Sequence, residues 1–243
     1  MSKPSRSRSV RSQISKNLLS LHRVLSEERS GVVVNPEALN SAANQVNRDS
    51  KSELWSYEVA NLQLKVEIPQ NVLPTQCGEW LDISINLDIR GQCEANGSDS
   101  ITDLILNLEI STNTKSNFCS WHFDRHITEN GGGQNLSSEA HPLYHFQHGG
   151  HAMKQLAQSL GSTLVLPAPR LAFPPMDAIL SLDFVLSNFA GKCWQSLRDD
   201  PTYLRLLKES QKKHWQPYLS KLASWWDDGP KQNDCTVLWP HLV

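Results

Sequence analysis

Leu81-Asp82-Ile83-Ser84-Ile85-Asn86-Leu87-Asp88-Ile89-Arg90 alternates apolar and polar side chains without a break. Successive residues of a strand face opposite ways, so this pattern makes a strand with one buried and one wet face. Two other stretches repeat it. Leu62, Leu64, Val66 and Ile68 alternate with Gln63, Lys65 and Glu67; Leu104, Leu106, Leu108 and Ile110 do the same around one apolar exception, Ile105. The breaks at residues 69–78 and 91–100 are rich in turn formers. Residues 121–127 supply a further strand. The expectation is an antiparallel meander of at least four strands, occupying residues 53–150.

Working outward, the period changes from two to that of a helix. Val10, Ile14, Leu18, Leu21 and Leu25 form the apolar stripe of an amphipathic helix that ends near Gly31. Asn35-Pro36-Glu37 reads as an N-cap and first-turn proline, opening a second helix to about Arg48. Residues 10–50 are therefore helical, and residues 1–9 a disordered tail. Beyond the sheet, residues 151–226 read as mainly helical. A short helical run covers 153–160, and 164–166 could be a short strand. Pro167, Pro169, Pro174 and Pro175 hold the chain extended around Arg170. Residues 176–189 are apolar almost all round, as in a buried helix. Asp200-Pro201 caps the next one, and Pro217 should break or restart it before residues 218–226. Residues 227–243 read as an irregular tail. The fold class is α+β: N-terminal helices, an antiparallel sheet and a C-terminal helical layer packed by Trp and Leu, in a single domain over 10–243.

The formal net charge of −2 gives no global field toward nucleic acid or an anionic membrane. No apolar run reaches the ~18 residues of a membrane span, and the basic N-terminus lacks an apolar secretory core. The cysteines, Cys77, Cys93, Cys119, Cys193 and Cys235, are odd in number and form no C-x-x-C pair, which suits a reducing cytoplasm. The expected location is cytoplasmic. Of the 8 tryptophans, those from Trp194 onward read as helix-packing residues.

Residues 121–151 hold most of the histidines. On a strand, His122, Asp124 and His126 share one face, and Trp121, Phe123, Arg125 and Ile127 the other. After a Gly- and Ser-rich loop, residues 141–147 would return as a partner strand, with His141 and His145 on one face and Tyr144, Phe146 and His148 on the other. If the two His faces coincide, His122, Asp124, His126, His141 and His145 converge, a donor set suited to zinc or manganese. No H-E-x-x-H signature accompanies it, so no cofactor is expected and the metal stays an alternative. The same histidines could instead form a hydrogen-bonded network that fixes register. A third reading is an anion groove with Arg125, His148, Lys154, Arg170 and the Gly149-Gly150 amides. Cys119 has the parity of Trp121 and should face away from His122. Ser120 shares the His122 face, but no G-x-S-x-G elbow is present.

Phe123-Asp124-Arg125, His141-Pro142-Leu143-Tyr144-His145-Phe146-Gln147-His148, Pro169-Arg170, Pro174-Pro175 and Asn188-Phe189 resemble a pattern shared by uncharacterised bacterial proteins of defence or mobile gene neighbourhoods. That resemblance covers about a quarter of the chain and implies no established activity. The order helix, meander, His-Pro element, helices is also similar to the ubiquitin-conjugating fold, with His141-Pro142 where that family carries His-Pro-Asn. This chain has Leu143 in place of the Asn and no cysteine between Cys119 and Cys193, so the resemblance implies a non-catalytic relative.

Together these readings favour a non-catalytic recognition or accessory protein, bacterial and tied to an antiphage defence or toxin-type operon, with a protein partner. The alternative is a metal-dependent hydrolase of phosphoesters or nucleic acid working through the His/Asp cluster. Lys3, Arg6 and Arg8 are the candidate nucleic-acid contacts.

Overall fold

The alternating stretches lie side by side. In this computed structural model the described residues are 6–46, 53–69, 78–93, 99–125, 141–149, 153, 169–228 and 238–242. Six strands form one antiparallel sheet in chain order: β1 (Leu54–Glu67), β2 (Trp80–Gln92), β3 (Ile101–Thr112), β4 (Phe118–Arg125), β5 (Tyr144–His148) and β6 (Leu171–Ala172). Two helices precede them, α1 (Arg6–Glu27) and α2 (Glu37–Gln45). Among the described residues five follow: α3 (Ala178–Phe189), α4 (Gly191–Arg198), α5 (Pro201–Ser210), α6 (Gln216–Ala223) and α7 (Trp225–Asp228), with a π-helical segment, Gln211–Trp215, joining α5 to α6. The α+β class holds. No described helix is long and apolar enough to cross a membrane.

The alternating apolar residues of β1 to β3 enter one core with Leu18, Leu21 and Leu25 of α1, Leu39 of α2 and Ile179, Leu182 and Leu186 of α3, while Leu54 and Ile105 stay exposed. Alternation put these side chains on one face, and the helices close over that face. The polar residues between them stay half-buried or exposed on the other face.

Several boundaries differ from the sequence reading. Helix α1 starts at Arg6 rather than Val10, and Ser7 and Arg11 are buried, so part of the expected tail is structured. Asn35 does not cap α2. Its side chain accepts a hydrogen bond from the Gln63 amide (2.6 Å) and donates to the Asn61 carbonyl (2.9 Å), pinning the loop to the β1 edge. Strand β1 begins at Leu54, eight residues before the alternation that reveals it. Its register shifts between Val59 and Leu62, where Asn61 adopts φ 51°. The shift moves the buried set from odd positions (Trp55, Tyr57, Val59) to even ones (Leu62, Leu64, Val66), which hides one strand as two patterns.

At the C-terminal side, Asp177 caps α3 by accepting from the Ile179 and Leu180 amides, and Asp200 caps α5 by accepting from the Tyr203 amide, as its Asp-Pro pair predicts. Helix α4 was not anticipated; Asp183 of α3 ties it in, accepting from Trp194 Nε1 (2.8 Å) and from the Tyr203 hydroxyl (3.1 Å). Pro217 does not break the helix. It removes the amide that would pair with the Lys213 carbonyl, and its ring crowds that carbonyl; the wider π turn over Gln211–Trp215 absorbs both effects. The expected irregular tail takes in the last two residues of α7, and Leu238 returns to the core. The helical run expected at 153–160 and the strand at 164–166 lie outside the described residues, apart from Met153, which is buried.

Candidate functional site

The His-rich strands pair as an antiparallel hairpin, but the returning strand begins at Tyr144 rather than His141. Register places Asp124 opposite His145, His122 opposite Gln147 and Phe123 opposite Phe146. Paired residues of antiparallel strands share a face, so Phe123, Tyr144 and Phe146 enter the core while His122, Asp124 and His145 stand on the other side.

Asp124 sits between the two imidazoles. His122 Nε2 lies 2.7 Å from Oδ2 and His145 Nε2 lies 3.0 Å from Oδ1. The outer nitrogens are also engaged: His122 Nδ1 is 2.9 Å from Asn107 Oδ1 on β3, and His145 Nδ1 is 3.1 Å from the Pro142 carbonyl. The His141 ring meets the His145 ring edge-on at 4.7 Å. His145 is only 1% exposed, whereas His122 and Asp124 are about a quarter exposed (26% and 27%).

Burial pushes the Asp124 carboxyl up. The His122 hydrogen bond and the positive potential of His145, His122 and His141 outweigh it, leaving the group below the usual carboxylate range. Burial pushes His145 below the ordinary histidine value, against the pull of Asp124 and Pro142, and Arg170 adds to the downward push. Both oxygens beside His145 are acceptors once Asp124 is ionised. A neutral ring can donate to only one of them, and a protonated ring to both.

Of the sequence-predicted site residues, the structure brings together His122, Asp124, His141 and His145. His126 lies outside the described residues, as do Lys3, Gly150, His151 and Lys154. Arg125 points into the core side, where Nη1 donates to the Thr102 carbonyl (3.0 Å) beside Asp99, which also accepts from the Tyr144 hydroxyl (2.5 Å). His148 is likewise on the other face, packed edge-on to Trp121 at 5.1 Å with Cys119 Sγ 3.5 Å from its Nε2. Cys119 thus faces away from His122, and burial raises its thiol pKa. The Ser120 hydroxyl is committed to the Gly149 carbonyl. Arg170 is half-buried, and its Nε and Nη1 are buried without a hydrogen bond among the described residues.

The imidazole nitrogens converge on the Asp124 oxygens rather than on a common point. Among the described residues, no three His, Cys, Asp or Glu side chains stand as a metal-holding group. Sequence reasoning missed Asn107 and the Pro142 carbonyl. Asn107 is one of many polar residues on the wet face, and only the β3–β4 register sets it beside His122.

The open face around this network is predominantly acidic. Glu58 lies directly opposite Asp88, and Asp82 and Glu109 lie farther along the same face, where Asp82 is opposite Lys65, as Arg90 is opposite Asp103. Like charges facing each other across strands cost stability; Arg90 Nη2, 3.6 Å from Asp88, relieves part of it.

Compared with protein-family models, curated proteins and solved structures, the chain gives no significant match to any of them.

Proposed function

We propose that this chain is a non-catalytic recognition protein that presents the open face of its sheet to a basic, Lys/Arg-rich segment of a protein partner. The observation that carries the reading is the engagement of the His–Asp network, with three ring nitrogens hydrogen-bonded and the fourth, His145 Nε2, in an ion-pair contact with Asp124 Oδ1. Each ring nitrogen of His122 and His145 already has an oxygen within 3.1 Å. A general base or a metal ligand needs a nitrogen lone pair free for the substrate or ion. Such a network instead stiffens the β3–β4–β5 end of the sheet and fixes the surface a partner meets. The acidic row supplies the complementary charge. The resemblance to uncharacterised bacterial proteins supports setting this role in a defence or toxin-type operon, and the departure from the His-Pro-Asn pattern supports a non-catalytic one.

One observation favours the alternative of a phosphoester hydrolase. The Arg170 guanidinium acts electrostatically on His145 and carries buried donors with no hydrogen-bond partner among the described residues, as an anion-binding arginine would.

Two measurements on the full chain separate the readings. A fluorescent Lys/Arg-rich peptide should bind, and Glu58→Gln with Asp88→Gln should weaken it at least ~10-fold, while Glu27→Gln with Asp199→Gln should not. Equal loss in both pairs would reduce the binding to non-specific attraction and sink the docking face. Elemental analysis is the second measurement. About one equivalent of zinc or manganese, lost together with phosphodiester hydrolysis in His122→Ala or His145→Ala, would replace recognition with the hydrolase.

A further inference from the structure

Pro217 has a consequence on the far side of the molecule. The π turn it enforces places Lys213 and His214 along a cavity of ≈ 190 Å³ between α1, β1, the start of α3 and α5. Insertions of this kind recur at functional sites. Val10, Ile14, Leu18 and Ile179 give the cavity apolar walls, and Trp55 and Tyr57 of β1 form its floor.

The polar groups around it divide into spent and unspent. Asp177 is spent: Oδ1 accepts from the Ile179 and Leu180 amides, and Oδ2 accepts from the Ser210 hydroxyl (2.6 Å) with His214 Nε2 at 3.6 Å. Glu209 is spent as well, on Arg205 (2.8 Å) and Asn17 (3.1 Å). Two donors are not. The Tyr57 oxygen accepts from the Ala178 amide (3.2 Å), and the hydroxyl hydrogen has no acceptor among the described residues. Lys213 is exposed as a residue, and its ammonium lies over the buried Trp55 ring, 4.8 Å from the centroid, with no ion-pair contact among the described residues; the Asp177 carboxylate acts on it through space. His214 adds a buried Nδ1 without a hydrogen bond among the described residues.

We propose that this cavity binds a short aliphatic monocarboxylate, with its carboxylate on the Lys213 ammonium and the Tyr57 hydroxyl and its chain along Val10, Ile14 and Ile179. The apolar walls select a hydrocarbon chain, and the two unspent donors select an acceptor with negative charge. The cavity opens to solvent on one side, and its ≈ 190 Å³ has room for a chain of about four to six carbons. The site is independent of the open sheet face, so failure of either reading leaves the other standing.

The test is calorimetric titration of the full chain with sodium acetate, butyrate, hexanoate and decanoate, and with butylamine. Butyrate or hexanoate should bind best, with Kd near or below ~1 mM. Lys213→Met and Tyr57→Phe should each weaken binding at least ~10-fold with the thermal midpoint retained, and Ile14→Trp, which fills the cavity, should abolish it. Butylamine binding as well as butyrate, decanoate binding as well as hexanoate, or no carboxylate binding at all overturns the proposal. The wild-type comparison of carboxylate with amine decides the matter even if the variants do not fold.

Discussion

Asp177 concentrates more of the structure on one side chain than any histidine does. It caps α3, holds Ser210 and His214, and borders the cavity. Burial pushes its carboxyl up, but the His214 contact, the Ser210 hydroxyl and the Leu180 amide hold it down to about 2. The folded value lies below the ordinary 3.8, so the unfolded chain binds the proton more readily. Stability from this group is fully present above about pH 4 and is lost as pH falls toward 2. The difference amounts to about 2 kcal/mol. Asp177→Asn can still cap the helix but carries no charge. Urea unfolding at several pH values should therefore show wild type losing about 2 kcal/mol of its advantage over Asp177→Asn between about pH 4 and pH 2. A constant difference across that range would show that the contacts do not depend on the charge.

Among the elements, β1 depends most on one residue. Asn61 holds φ 51° at the register shift, and its surroundings are built to suit it. Its amide donates to Asn86 Oδ1 (2.9 Å), its own Oδ1 accepts from the Ser84 hydroxyl (2.8 Å), and its carbonyl accepts from Asn35 Nδ2. Asparagine tolerates this conformation and a β-branched residue does not. Asn61→Val should cost roughly 2 kcal/mol in denaturant unfolding, and Asn61→Gly less than about 1, because glycine keeps the backbone and loses only side-chain bonds. Equal costs would assign the strain to the hydrogen bonds instead. At the far end of the strand, Gly91 lies opposite Trp55, and an added Cβ would stand 2.3 Å from the indole ring. This glycine is required by close approach, not by backbone conformation.

At the scale of the molecule, an aromatic cluster binds the His-bearing strands to the helical layer. Phe123 is 0% exposed and meets Phe146 at 4.8 Å and Tyr144 at 6.3 Å; Phe146 stacks on Phe184 of α3 at 4.8 Å. Phe123→Ala should cost about 3–5 kcal/mol, a large share of the stability of an ordinary domain. Trp226→Ala, at a side chain 76% exposed, should change stability by less than about 0.5 kcal/mol. Thermal unfolding followed by tryptophan fluorescence and by calorimetry compares the two. If Phe123→Ala proved nearly neutral, the His–Asp network would have to hold its strands without the core beneath it.

Alternation by itself determined that residues 81–90 and their two companions are strands, and which of their side chains face the core, because a period of two leaves no other assignment. Parity likewise determined that His122 and Asp124 share a face and that Cys119 and Arg125 do not join them. The start of β1 was not legible, because the bulge at Asn61 reverses the parity on which that reading depends. Nor was the partner of each histidine. Asn107 meets His122 and Pro142 meets His145 through strand register and through a carbonyl that no side-chain pattern advertises. The cavity at Asp177 and Lys213 draws on α1, β1, α3, α5 and a π turn, residues as far apart in sequence as Val10 and His214. Local pattern fixes which way a side chain points. Only the packing of distant elements fixes what it points at, and the chemistry of both sites depends on that packing.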